Sequence, residues 1–178
     1  MSVRITASFC LSLLANAALS GSVAAQTPPA PAAAAHERIS PDLITLADAL
    51  KIAEAALSSC ERQHEKVAAF VTDADGNLRA ALSSDGLNPI GLHTATLKTA
   101  SVLQFKVSTR DLEQRLKSDP AFAAKYGNDT HYFYHPGALP LYRDGKFVAV
   151  FAVGGGHDKD ESCALEALKL LPWAKTNP

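Results

Sequence analysis

Residues 147–153 read Phe-Val-Ala-Val-Phe-Ala-Val, apolar at both alternations. A strand with one wet face alternates apolar and polar residues with a period of two. A run that is apolar at both positions is a central strand covered on both faces. The rest of the chain must supply that cover. Leu46, Leu50, Ala53, Leu57 and Cys60 recur at spacings of four and three, one helical stripe, with Thr45 placed to cap it and Asp48 three residues on. Val67–Thr72 is a short strand-length run, and Asp73-Ala74-Asp75-Gly76-Asn77 is turn chemistry before a second strand, Leu78–Ser83.

Helical patterns follow over 90–105, with Leu92, Ala95, Thr99, Val102 and Lys106 near one line. Two shorter helices open at Thr109 and at Asp119-Pro120. Tyr132–Leu141 holds two prolines and reads as extended edge or loop, and Arg143-Asp144-Gly145 is a tight turn into the apolar run. Gly154-Gly155-Gly156 leads to a last helix over 158–171, with Cys163, Ala167 and Leu170 on one stripe. The order is helix, hairpin, three helices, hairpin, helix. Hairpins separated by helices predict a single α+β domain on an antiparallel sheet, with the first and last helices packed side by side.

Arg4 followed by an uncharged apolar stretch ending Ser22-Val23-Ala24-Ala25 is the pattern of a secretory signal peptide, residues 1–25. Residues 26–39 form a Pro/Ala-rich linker, and the folded domain is expected over 40–175. The expected location is periplasmic or secreted, with no membrane span after cleavage. Cleavage leaves two cysteines, Cys60 and Cys163. In an exported chain these invite a disulfide between the first and last helices; two buried free thiols are the alternative.

Lys+Arg number 17 and Asp+Glu 18, so there is no basic face to bind nucleic acid. No metal-ligand spacing, phosphate loop, nucleophile elbow or covalent haem-attachment motif occurs. The histidines carry more. His64 lies at the end of the first helix, and His93 falls in the first turn of the second helix, where it could line a pocket. His157 follows three glycines at the start of the last helix. His131 and His135 are four apart around Tyr132-Phe133-Tyr134. In a strand or a helix that spacing puts both imidazoles on one side. Imidazole beside flat apolar rings is the chemistry of an iron porphyrin site; a half-exposed aromatic edge is the alternative.

Several segments together resemble the GlcG/HbpS haem-binding family. They are Leu46-Ala47-Asp48-Ala49; Val71 to Leu78, matching a Val-x-Asp-x-x-Gly-x-Leu hairpin; Ser84-Asp85-Gly86; Lys98-Thr99-Ala100; Gly137 to Leu141 with Asp144-Gly145; and Asp160-Glu161 with Ala164. The chain departs from the family at Ala152-Val153-Gly154-Gly155, where Gly-Val-Ser-Gly is usual, and at Gly137-Ala138, where Gly-Gly is usual. The resemblance implies a five-stranded antiparallel sheet flanked by helices, assembly into homo-oligomers, and haem as ligand.

The leading expectation is an exported haem-binding protein in haem or iron handling. His131 or His135 would ligate iron, Tyr132, Phe133 and Tyr134 would wall the site, and Lys98 or Arg143 would pair a propionate. One alternative is a haem-degrading or small-acid-processing enzyme using Lys98, Asp73 and Asp85. Another is a sensory or adaptor domain for a small molecule.

Overall fold

The computed structural model describes residues 43–178; the expected signal peptide and linker lie outside the described residues. The elements are α1 (Leu46–Glu61), β1 (Ala68–Asp73), β2 (Leu78–Ser83), α2 (Pro89–Phe105), α3 (Thr109–Ser118), α4 (Pro120–Tyr126), β3 (Ala138–Arg143), β4 (Lys146–Gly154) and α5 (Asp160–Leu168). The strands form one antiparallel sheet in the order β2-β1-β4-β3. Each hairpin thus contributes one inner and one outer strand.

Local chemistry sets the boundaries. Thr45 accepts a hydrogen bond from the Asp48 amide at 3.0 Å and starts α1. The Asp73 carboxylate accepts from the amides of Asp75 and Asn77 at 3.0 and 2.9 Å. Gly76 supplies the positive φ of 87° that closes the first hairpin. Pro140 sits in the outer strand β3, whose ladder in the sheet is with β4, so its missing N–H costs no bond to a second strand of the sheet.

β4 is covered on both faces as its composition requires. Ala149, Phe151 and Val153 pack with α1 and α5 residues such as Ile52, Ala53, Ala164 and Ala167. Phe147, Val150 and Ala152 pack with Val102 of α2. Val148 joins the first set because the register slips there: Leu141 pairs with Ala149 and Tyr142 with Phe147, leaving Val148 as the extra residue of a bulge. Burying a side chain such as Ile52 completely stabilises the fold by roughly 2 kcal/mol. Cys60 of α1 and Cys163 of α5 form a disulfide, with Cα atoms 5.5 Å apart, and both residues are fully buried.

Three expectations are corrected. The sheet has four strands among the described residues, not five. The stretch read as extended edge or loop is loop over 132–137 and strand from Ala138; in the loop the Phe133 N–H donates to the Ser101 hydroxyl, and the Gly137 carbonyl accepts from the Val153 amide at 2.8 Å. The buried stripe of α2 is Gly91, Ala95, Lys98, Thr99, Ser101 and Val102, while Leu92 is exposed. The helix is rotated because it rests on β4 backbone: a Cβ at Gly154 would lie 2.9 Å from the Gly91 carbonyl oxygen and 2.6 Å from the Ala95 nitrogen. Only glycine permits that approach. Finally, α5 ends at Leu168 and Leu170 is exposed, so the last stripe stops one turn early.

Candidate functional site

The glycine-enabled contact between α2 and the end of β4 leaves a cavity of about 450 Å³ beside it. Its walls come from three places: Ile90, Gly91 and Thr94 at the start of α2; Phe133 and His135 on the loop before β3; and Gly155, His157 and Asp158 on the turn after β4. Asn88 caps α2 by accepting from the Gly91 amide at 3.2 Å, with Pro89 in the first turn. Gly155 takes φ 110°, and a Cβ there would lie 3.2 Å from the Gly91 Cα. The turn therefore sits directly against the helix start.

His135 is the half-buried imidazole of this cavity, 34 % exposed. Its Nδ1 lies 3.8 Å from Glu113 Oε1 and its Nε2 lies 3.5 Å from Asp158 Oδ1. The Phe133 ring is 6.2 Å away, centroid to centroid. Behind this wall Lys98 is fully buried. Its Nζ donates to Asp160 Oδ2 at 2.6 Å, to the Pro136 carbonyl at 2.9 Å and to the Val153 carbonyl at 3.1 Å. The other oxygen of Asp160 accepts from the Gly156 amide at 2.8 Å. Burial pushes the Lys98 ammonium pKa down, and the attraction of Asp160 opposes it. Burial pushes the Asp160 carboxyl up, with Lys98 opposing. Desolvation drives both groups toward their neutral forms; their mutual contact keeps them together.

The structure separates the two histidines that the sequence suggested would face one way. His131 is 85 % exposed, with its Nδ1 2.7 Å from Asp129 Oδ1, and it does not line the cavity. Residues 131–137 are turn and loop, so the period of a strand or helix does not govern them. Tyr132 and Tyr134 pack with Phe105, Phe122 and Tyr126, ring centroids 5.3 to 6.3 Å apart, away from the cavity lining. Burial raises the Tyr134 hydroxyl pKa to about 12. His93 is exposed on α2 and also lies outside the lining. Arg143 is at the far end of β3, stacked 3.7 Å from the Trp173 ring.

The candidate acid–base group does not converge either. Asp73 is engaged in its hairpin turn, and Lys98 sits behind the first cavity. Asp85 lines a different one of about 590 Å³, together with His64, Glu61 and Glu65. Sequence reading missed His157 as a cavity residue. The available signal was three glycines ending a strand buried on both sides, which marks a place of close backbone approach. Among the described residues no three His, Cys, Asp or Glu side chains are grouped to hold a metal ion. No helix among them is long and apolar enough to cross a membrane.

A helix-covered antiparallel sheet with a ligand-sized cavity, two imidazoles in its wall and glycine at its corner, defines an α+β class with a concave site at the end of its central strand. The chain belongs within that class to the family of haem-degrading HbpS-like proteins, whose pattern it matches over residues 44–169. The crystal structure of HbpS is 28% identical, with a TM-score of 0.63 over 72% of this chain and 90% of that one. A double mutant of HbpS from Streptomyces reticuli is likewise 28% identical, with a TM-score of 0.63 over 82% and 99%. The PduOC:heme complex is 17% identical, with a TM-score of 0.69 over 76% and 99%, a likeness of fold alone. Among curated proteins none matches the sequence.

Proposed function

We propose that this chain is an exported haem-binding protein, and that haem enters the cavity between α2, the 133–136 loop and the 155–158 turn with His135 facing the iron. The carrying observation is the half-buried His135 ring in a cavity whose mouth exposes large apolar side chains. Ile90 is 70 % exposed and Phe133 38 %. Apolar surface at the rim of a concave site suits a flat apolar ligand. The volume of about 450 Å³ falls in the range of ligand pockets. Glu113 and Asp158 flank the ring from two elements, at 3.8 and 3.5 Å. Bound haem would supply iron redox chemistry; the chain's own groups supply the imidazole, the apolar walls and their fixed spacing. Family membership and the haem complex of a fold relative support the ligand class.

Export is supported by the signal pattern in residues 1–25 and by the disulfide, which persists in oxidising compartments. Assembly with further copies belongs to the same reading and is measured by light scattering. Haem degradation is the second reading, favoured by the family's description. Verdohaem or biliverdin absorption after adding reductant and oxygen to the complex would establish it.

Hemin titration tests the site. The wild-type chain is expected to develop a Soret band that His135→Ala weakens and shifts while His131→Ala leaves it unchanged. A His135→Ala spectrum identical to wild type would remove this assignment.

A further inference from the structure

We infer that Lys98 and Ser101, three residues apart on the buried side of α2, are positioning residues that clamp the 133–136 loop at both ends and so fix the direction of the His135 ring. The inference rests on the reading of the cavity above, and its first readout needs no ligand.

The loop has no strand partner to hold it. At its start the Ser101 hydroxyl accepts from the Phe133 amide at 3.0 Å, and its one proton lies within reach of the Leu97 carbonyl at 2.9 Å and the Phe133 carbonyl at 3.1 Å. At its end Lys98 donates to the Pro136 carbonyl at 2.9 Å. Pro136 has no N–H, so its carbonyl is the backbone group left for anchoring there. His135 lies between the two anchors. The other Lys98 donors go to Val153 at the end of β4 and to Asp160 at the start of α5, and Asp160 in turn holds the Gly156 amide. One side chain therefore ties together the three segments that wall the cavity.

Packing alone does not call for an ammonium group at this place. Burying a charge is expensive, and an apolar residue of similar volume would fill the space at less cost. Two features show that the position is built around Lys98. Gly137 takes φ 142°, and a Cβ there would lie 2.6 Å from the Lys98 Nζ. The ammonium also spends its donors on groups of three different segments. The direction of His135 explains the need. The ring stands between Glu113 and Asp158, carboxylates on different elements at 3.8 and 3.5 Å, and neither contact is short enough to fix it. The backbone anchors must do so.

The experiment uses the full oxidised chain in four forms: wild type, Lys98→Met/Asp160→Asn, Ser101→Ala, and Ile52→Ala as a control. Ile52 is buried on the opposite face of the sheet, so its truncation destabilises without touching the loop. Amide hydrogen exchange over residues 133–138 is measured without ligand, and hemin release to an excess of apomyoglobin is measured with it. Both clamp variants are expected to lose protection selectively in the loop, to shift the Soret band, and to release hemin about tenfold faster or more. Ile52→Ala is expected to lose protection across the molecule and keep wild-type hemin release. Equal loop exchange in clamp variants and wild type, or equal acceleration of release by Ile52→Ala, would overturn the inference. If the Lys98 variant does not fold, Ser101→Ala decides alone through the Phe133 amide. If His135→Ala leaves hemin binding untouched, the cavity reading fails, and loop exchange still decides the clamp.

Discussion

Replacing both Cys60 and Cys163 by alanine removes a crosslink between residues 103 apart in sequence. Closing a loop on the order of 100 residues restricts the unfolded chain by about 4.7 kcal/mol at 25 °C. The folded state loses little else. Both half-cystines are fully buried, and the α1–α5 seam around them is made of small residues, Ala49, Ala53 and Ala56 against Ala164 and Ala167. The double variant should therefore fold to the same structure with about 4 to 5 kcal/mol less stability, a large part of the 5 to 15 kcal/mol typical of a domain. Guanidinium unfolding followed by far-UV circular dichroism reads this directly. The midpoint falls, and the denaturant slope rises because an uncrosslinked unfolded chain exposes more surface. Reductant added to the folded wild-type chain should have no effect until the chain unfolds, because neither cysteine is exposed. A loss below about 1 kcal/mol with an unchanged slope would refute the reasoning, since the loop-closure term would then be absent.

Tyr134 donates to the Tyr126 carbonyl at 3.3 Å and, through burial first, has its pKa raised to about 12. A raised pKa favours the protonated form in the folded state. Its stabilisation is complete below about pH 10 and is lost as pH rises through about 12, which alkaline absorbance titration paired with urea unfolding will show. Asp119 accepts from the Phe122 amide, from the Arg115 guanidinium and from the Ala121 amide at the start of α4, which together hold its carboxyl below the usual carboxylate range. Its contribution is present above that range and lost as pH falls through the lowered value. The stability gap between wild type and Asp119→Ala should therefore close on acidification; a gap independent of pH would contradict the cap. Gly137→Ala combines φ 142° with Cβ contacts of 2.6 Å to Lys98 Nζ and 2.7 Å to the Val153 carbonyl oxygen, and should cost about 2 kcal/mol or more. Gly145→Ala, with φ 77° and nothing within 4 Å, should cost about 1 kcal/mol; equal melting temperatures for the two would refute the crowding argument.

Much of the scaffold was legible residue by residue. The Thr45 cap, the Asp73-to-Asn77 turn, the Pro120 start and the doubly buried 147–153 strand all follow from backbone periodicity and hydrogen-bond chemistry, which act over a few residues. The Cys60–Cys163 pairing was invited because only two cysteines remained after the expected signal, on the stripes of helices expected to be neighbours. The site was less legible. Phe133 and His135 were read in the right segment, but their companions Gly91, His157 and Asp158 come from elements far away in sequence. The rotation of α2 was set by Gly154 lying against Gly91, and that rotation buried Lys98 and exposed Leu92. His131 is turned outward in a turn where the Asp129 carboxylate accepts from its amide and contacts its ring. Sequence by itself determined most of the elements and their order, because each depends on short-range pattern; it left the two cysteines as a disulfide or two buried thiols, and the structure pairs them. Only the tertiary structure decided which imidazoles border the cavity, His135 and His157 and not His131, because a cavity is the space left between elements that sequence spacing does not relate.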